Sequence, residues 1–293
     1  MSAVIRPIRL ALASLLCLPI AVLAGPEQHA DYVVVGKSIN HRQAPTGDLS
    51  LLNTVFFAEV FETGSGTVSN AVLRGPGEAA DGIPFSGDGI HFLAGTRQFT
   101  IEGLTKNFPD TTYLFDFDTP DGNVRDFPAT FMRDAGEMRN PGPIEISLFQ
   151  NGEPALPGAI DPDQDLTVRW SPFTKGAADP NGIIDDMIYV IFGDCLGNEI
   201  GHSGHAISNP DALTYAATEY VISADLLEPG QPFQLEVEHS NMDTAIERDI
   251  EIIVTYAATS FLDLKATGVD QSEKGCPSIP YAMDGGQTDR ERR

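Results

Sequence analysis

Apolar and polar residues alternate in the second half of the chain in a way that predicts short β-strands. Residues 166–170 read Leu-Thr-Val-Arg-Trp and stop at a Ser-Pro pair, and residues 232–238 alternate just as cleanly. A period of two residues places one face of a strand against a core and the other face towards solvent. The other strands predicted in this half cover 187–192, 218–222 and 250–256.

The first half of the chain is also rich in short β-type runs. Clusters of glycine, proline, asparagine and aspartate separate these runs, for example at 64–66 and 74–77. Regular short strands between such turns are typical of a sandwich or a barrel. One short helix is predicted over 101–107, ahead of a Phe-Pro pair. The strands predicted in this half cover 32–35, 54–61, 68–73, 89–93 and 112–117.

One stretch without apolar periodicity separates two predicted domains. Residues 135–142 contain proline, glycine and charge but neither a strand nor a helix pattern, which is typical of a linker. We therefore predict an all-β protein with two β-sandwich domains. The predicted organisation is a signal peptide at 1–24, an N-terminal β-rich domain at 25–134, the linker, a C-terminal domain at 143–260 and a polar tail at 261–293.

The first 24 residues have the pattern of a secretory signal peptide. Arg6 and Arg9 precede an apolar run over 10–23, and the small residues Val22 and Ala24 suit a cleavage site. The run is short for a membrane span, which needs about 20 residues. We expect a secreted or periplasmic protein that has no membrane-inserted segment once the signal is removed.

Three features of the second half occur together in one known family. Trp170 lies on an early strand, Tyr189 begins an apolar strand after it, and 227–233 reads Leu-Glu-Pro-Gly-Gln-Pro-Phe before the 232–238 strand. In these features the chain from about 143 to 258 resembles a fibronectin type III domain, with Phe233 in place of that family's tyrosine. The resemblance implies a fibronectin type III or immunoglobulin-like sandwich, and it implies little about function.

The charge of the chain restricts its partners. The chain has 18 basic and 42 acidic side chains, which gives a net charge of −24. Nucleic acid and anionic membrane surfaces repel so acidic a protein. The partner is unknown from sequence, and a protein or a glycan is compatible with the charge.

A short stretch after the 187–192 strand contains ligand types for a transition metal. Asp194, Cys195, Glu199, His202 and His205 fall within it, and histidine, cysteine and carboxylates bind zinc or copper. The alternative is an exposed polar hairpin. Cysteine has a second interpretation here, because Cys195 and Cys276 are the pair left after signal removal, and such a pair in an exported protein predicts a disulfide.

Three stretches combine Asp or Asn at short spacing with the turn residues Gly or Pro. Calcium binds six to eight hard oxygens, which such stretches can supply. The same residues also form ordinary turns, so turns without calcium are the alternative. No cofactor is required by the sequence, and calcium is left open. One stretch is 161–165; the candidate ligands in the other two are Asp116, Asp118, Asp121, Asp179, Asn181 and Asp185.

The sequence contains no Gly-x-Ser-x-Gly elbow and no phosphate-binding glycine loop, so it assigns no catalytic residue. We predict an exported, non-enzymatic protein whose role is binding or structural. Two alternatives stay open at this point. One is a secreted carbohydrate-active hydrolase with its site on the loop over 173–185, and the other is a metal-binding exported protein.

Overall fold

The computed structural model describes residues 25–87, 90–94, 97–131, 139–194, 196, 198–204 and 212–269, with the backbone alone for 90–94. It contains one α-helix, α1 (Ile101–Asn107), and 3-10 turns at Pro26–His29, Gly77–Ala79 and Ala224–Leu226. The strands are β1 (Ala30–Gln43), β2 (Leu49–Glu62), β3 (Ser69–Arg74), β4 (Ile83–Pro84), β5 (Ile90–Ala94), β6 (Thr112–Thr119), β7 (Gly122–Thr130), β8 (Ile146–Gln150), β9 (Glu153–Pro154), β10 (Leu166–Trp170), β11 (Met187–Asp194), β12 (Glu199–His202), β13 (Glu219–Ile222), β14 (Pro232–Glu247) and β15 (Ile250–Lys265).

The strands form three sheets, and the predicted all-β class is confirmed. A seven-stranded sheet, the shared sheet, has the order β12-β11-β14-β15-β1-β2-β5. The N-sheet has the order β4-β3-β6-β7, and the C-sheet has the order β13-β10-β8-β9. Named strands pair antiparallel except β1 and β15, which pair in parallel. The shared sheet therefore takes strands from both halves of the chain.

The two four-stranded sheets lie side by side on one face of the shared sheet. Along β15, Ile252 and Val254 belong to a core with the N-sheet, and Leu262 and Leu264 belong to a core with the C-sheet. These residues are an even number of positions apart on a strand whose pairing with β14 is regular throughout, so their side chains share a face. Each core is a sandwich that uses a different length of the same long strands.

The core under the N-sheet is rich in aromatic rings. Phe56 of β2 stacks on Phe108 with 4.2 Å between ring centroids, and Phe108 follows α1 directly. The helix begins where the Thr100 side chain accepts a hydrogen bond from the Gly103 amide. It ends before Pro109, as the sequence predicts, and Leu104 carries its buried face.

The core under the C-sheet contains the chain's single tryptophan. Trp170 is 8% exposed, and its Nε1 donates to the carbonyl of Ala217 at 3.3 Å. Phe233 is 1% exposed and stacks on Phe192 at 4.9 Å. The ring therefore fills this position without a tyrosine hydroxyl.

The sequence prediction was wrong about the lengths of the long strands. β1 and β2 each have 14 residues and β14 and β15 each have 16, whereas the pattern predicted strands of four to eight residues. β7 and β8 were not predicted. The division of the chain into two domains stays a prediction, and the described strands show that the two halves share a sheet. None of the helices in the described ranges has the length and apolar character needed to cross a membrane.

Candidate functional site

The long strands become polar in the middle of the shared sheet, and we call this region the polar belt. Its residues are nearly all buried, on both faces of the sheet. Buried polar groups need hydrogen-bond partners, so the belt must be organised across strands. The belt consists of Lys37, Ser38 and Asn40 on β1, Asn53 on β2, Glu238, His239, Ser240, Asn241 and Asp243 on β14, and Thr259 and Ser260 on β15.

On the face turned away from the N-sheet and the C-sheet, the belt is a row of hydrogen bonds. The Glu238 carboxylate accepts from the hydroxyl of Ser240 at 2.6 Å and from that of Thr259 at 2.9 Å. Thr259 in turn lies 2.9 Å from the hydroxyl of Ser38, across the parallel pair of β15 and β1. Each oxygen of the carboxylate thus accepts a hydrogen bond from one hydroxyl.

The same row continues across β1 to β2. Ser38 donates to the side-chain carbonyl of Asn40 at 2.6 Å, and the Asn40 amide donates to Asn53 at 2.9 Å. The row therefore spans four adjacent strands with side chains alone. Because every bond depends on which residues are opposite, a slip of one position in any strand would break the row.

On the other face, the end of the predicted linker crosses the belt. The Arg139 guanidinium pairs with Asp243 and lies 5.2 Å from the ring centre of Tyr256. The Asn241 side chain donates to the Arg139 carbonyl at 2.7 Å. Asn140 then donates to two carbonyls, those of Lys37 and Ala257 on the neighbouring strands β1 and β15, at 3.0 and 2.7 Å.

After it crosses the belt, the chain continues to β8 of the C-sheet. The Ile144 amide donates to the Ser260 hydroxyl at 3.2 Å. Gln43, the last residue of β1, both accepts from the Ile146 amide at 2.7 Å and donates to its carbonyl at 2.8 Å. Residues 139–146, the strap, are therefore fixed on the shared sheet between the two cores.

Two titratable side chains of the belt are buried. Lys37 is 4% exposed, pairs with Asp110 and lies 4.7 Å from the ring centre of Phe131; burial lowers its pKa although Asp110 opposes the shift. His239 is 2% exposed and stacks on Phe173 at 4.6 Å. Burial lowers the pKa of His239 to about 4, and its Nε2 has no hydrogen-bond partner among the described residues.

The aspartate-rich loop over 177–186 covers an edge of β14. β11 pairs with β14 only as far as Ser240, so beyond that residue the outer edge of β14 has no strand beside it in the described structure. Asp186 accepts the Met242 amide at 2.6 Å, and Asn181 donates to the Thr244 carbonyl at 2.9 Å. Side chains thus take the place of a neighbouring strand.

Asp179 organises that loop. Its carboxylate accepts the amides of Asn181 and Ile183 at 3.0 and 2.7 Å and the Thr244 hydroxyl at 2.9 Å. Burial would raise the pKa of Asp179, but these hydrogen bonds outweigh it and lower the pKa. Asp185 accepts the Asp179 amide at 2.8 Å. The carboxylates of the candidate calcium ligands Asp179 and Asp185 therefore accept hydrogen bonds from protein donors.

The candidate ligands on the N-sheet are occupied by arginines. Arg74 donates to Asp116 at 2.6 and 3.0 Å and to Asp126 at 2.5 Å. Arg125 pairs with Asp118, which also accepts from the side chain of Asn70 at 2.9 Å. Guanidinium groups thus lie beside the carboxylates that the sequence identified as candidate calcium ligands. The third candidate ligand, Asp121, lies 2.9 Å from the imidazole of His29.

The candidate transition-metal stretch forms the β11–β12 hairpin. Asp194 accepts the amides of Leu196 and Asn198 at 2.8 and 2.9 Å, and thereby closes the turn. Glu199 pairs with Gly193, and His202 Nδ1 accepts the Gly204 amide at 2.7 Å. Within the described residues, no three His, Cys, Asp or Glu side chains are grouped closely enough to hold a metal ion. His205 lies outside the described residues, as do Cys195 and Cys276, so their disulfide stays a prediction.

The polar belt itself was missed from the sequence. A signal was present, because residues 37–43 contain neither glycine nor proline and 239–244 contain neither as well. A polar run without glycine or proline, placed directly after an apolar strand, is compatible with a continuing strand.

Comparison with known proteins identifies no relative, because no family model and no curated protein matches the chain.

Proposed function

We propose that this protein is exported and non-enzymatic, and that its role is structural or binding, with two sandwich modules held side by side. The observation that carries the proposal is the shared sheet, since β14 and β15 supply residues to the cores under both four-stranded sheets. The strap, which is hydrogen-bonded to β15 between the two cores, also holds the two modules in this arrangement. Loops of both modules then keep constant relative positions, which suits contact with one partner at several points.

The strand pairing supports a fibronectin type III-like module in the C-terminal half. β8, β10 and β13 share one sheet, and β12, β11, β14 and β15 share the other. In chain order this is the division of strands A, B and E from C′, C, F and G that immunoglobulin-like sandwiches have. β1 then extends the second sheet beyond its last strand.

A groove between β7 and β14 is the contact surface that we propose for a protein or glycan partner. Its volume is about 350 Å³, within the range of small-ligand sites. Pro128 and Ile246 supply apolar surface and Glu247 supplies an exposed carboxylate, whereas the Asp243 carboxylate pairs with Arg139. Mixed apolar and acidic surface suits hydroxyl-rich or amide-rich ligands, in keeping with a net charge that repels nucleic acid.

The hydrolase alternative has less support from the loop over 173–185. Asp179 and Asp186 both accept backbone amides, and they fix the loop to β14. A pair of carboxylates for glycoside hydrolysis must instead face a substrate on both sides of the bond to be cut.

A glycan array run beside a hydrolase panel tests the proposal on purified protein. We expect binding without turnover, and turnover of any glycan would overturn the non-enzymatic role. Thr130→Arg, at the exposed rim of the groove, should abolish binding, whereas Thr105→Arg on the exposed side of α1 should not. Equal binding by both variants would place the contact elsewhere.

Export is tested by recovering the protein from outside the cytoplasm and sequencing its N-terminus. We expect cleavage near Gly25. An intact Met1 in that fraction would contradict the proposed signal peptide.

A further inference from the structure

The first and last long strands of the chain are neighbours in the shared sheet. β1 and β15 pair in parallel from Tyr32 opposite Glu251 to Gln43 opposite Leu262, twelve residue pairs without a register shift. At about 3.3 Å per residue the ladder is roughly 40 Å long.

The direction of this pair decides how tension would act on it. The chain enters β1 at the end where β15 begins, and it leaves β15 at the end where β1 stops. Tension between the two ends therefore slides one strand along the other. In that geometry all the hydrogen bonds of the ladder resist together, whereas strands pulled apart from one end break their bonds one after another.

Neither strand is free to move aside. β15 pairs with β14 along its whole length, and β1 pairs with β2 along nearly all of its own. Side chains add links across the parallel pair itself, since Ser38 contacts Thr259 and Arg42 pairs with Asp263. The strap adds the side chain of Asn140, which bonds carbonyls of both strands.

The point where the chain enters β1 is anchored. The amide of Thr63 donates to the His29 carbonyl at 3.1 Å, and its hydroxyl donates to the Gln28 carbonyl at 3.0 Å. The Thr67 hydroxyl donates to the His29 carbonyl at 3.3 Å. These bonds tie the residues before β1 to the connection between β2 and β3.

The point where the chain leaves β15 is anchored as well. Lys265 exchanges backbone bonds with the 157–160 loop, donating to Pro157 at 2.8 Å and accepting from Ile160 at 3.0 Å. Two residues later, the Thr267 amide donates to the Ile160 carbonyl at 2.7 Å, and its carbonyl accepts from Gly230 at 3.0 Å. Force applied to the chain beyond β15 must therefore break these hydrogen bonds before it acts on the β1–β15 ladder.

From this arrangement we propose a mechanical function: the β1–β15 ladder is a clamp that transmits tension between residues 25–30 and 265–269 without unfolding. This goes beyond the proposed structural or binding role. It applies to an exported protein held at both ends, for example between two surfaces or two partners.

Single-molecule pulling on the whole folded protein tests the clamp. In one geometry the handles are attached at Gly25 and at the exposed Val269, beyond opposite ends of the ladder. In the matched control the second handle moves to the exposed turn residue Asp249, at the start of β15, so that the same ladder is opened from one end. All three attachment sites lie outside the ladder, so both measurements use the same fold.

We expect an unfolding force several times higher with handles at Gly25 and Val269 than with the second handle at Asp249, because forced unfolding is governed by the unfolding barrier. Equal forces, or a lower force in the first geometry, would overturn the clamp. Such a result would leave the binding and export experiments unaffected, so failure of the clamp is distinguishable from failure of the proposed function.

Discussion

Two of the three aspartate-rich stretches of this protein are alike in sequence and different in use. Residues 116–123 lie on the paired strands β6 and β7, where Arg74 and Arg125 bind their carboxylates. Residues 179–186 form a loop whose oxygens bind backbone amides and close the edge of β14. Closely spaced aspartates thus identify an oxygen-rich segment, but the neighbouring elements decide whether a guanidinium, an amide or a metal ion takes the oxygens.

Acid should destabilise the region around the 179–186 loop, because Phe173, in the segment before that loop, stacks on His239. The pKa of His239 falls from about 6.5 in the unfolded chain to about 4 in the folded protein. The unfolded chain therefore binds more protons, and stability is lost as pH falls from 6.5 to 4. We expect this residue to account for about 3 kcal/mol of that loss, measured by urea unfolding at several pH values.

His239→Phe is the control, since it keeps an aromatic ring on Phe173 and removes the titration. Its unfolding free energy should decline less than that of the parent protein over the same pH range. Parallel curves for the two proteins would show that His239 is not buried as a neutral ring.

Asp179→Ala should destabilise the protein by about 2 kcal/mol at pH 7, because amides of the loop lose their acceptor and are only partly reached by water. Urea unfolding measures the change. Asp185→Ala is the matched variant, since among the described contacts it removes one accepted amide, and its effect should be clearly smaller. Equal effects would contradict the role of Asp179 as the centre of the loop.

Arg74→Met tests the other stretch and should destabilise the protein less than Asp179→Ala does. Its pairs with Asp116 and Asp126 are at the surface, where ion pairs contribute little and salt screens them. The loss should shrink between low and high salt, while the loss from Asp179→Ala should stay nearly constant. An effect of Arg74→Met that salt does not change would argue against a surface ion pair.

Of the changes considered, the addition of calcium should have the smallest effect on stability. Since both stretches satisfy their carboxylates internally, the midpoint of thermal unfolding should be the same in calcium and in a chelator. A calcium-dependent rise in the midpoint would revive the sequence-based calcium prediction. Loss of that rise in Asp179→Ala or in Asp116→Ala would then identify the stretch responsible.

Local signals were enough to predict some elements fully. α1 and β10 have the predicted bounds, because a following Phe-Pro pair and a clean alternation before Ser-Pro act within a few residues. The all-β class follows from the same signals. Asp, Asn and Gly were ambiguous for a chemical reason, since turns, strand-edge contacts and calcium sites use the same oxygens.

The polar belt could not be predicted by alternation. Ser38, Asn40 and Thr259 are buried because residues distant in sequence supply their hydrogen bonds. A pattern that assigns polar residues to solvent ends β1 near Val35 and β15 near Tyr256, where the belt begins. The parallel pairing of β1 with β15 is likewise a contact between the two ends of the chain, and the local sequence contains no sign of it.

The parallel pair also affects how molecules could assemble. Each half of the chain completes the sheet of the other, and the chemistry of that junction is identical whether the two halves belong to one molecule or to two. At high concentration, a molecule that opens between its halves can therefore close on a neighbour that has opened in the same way, with every native contact retained. Dilution favours closure within one chain, so the balance between monomer and exchanged dimer depends on concentration during refolding.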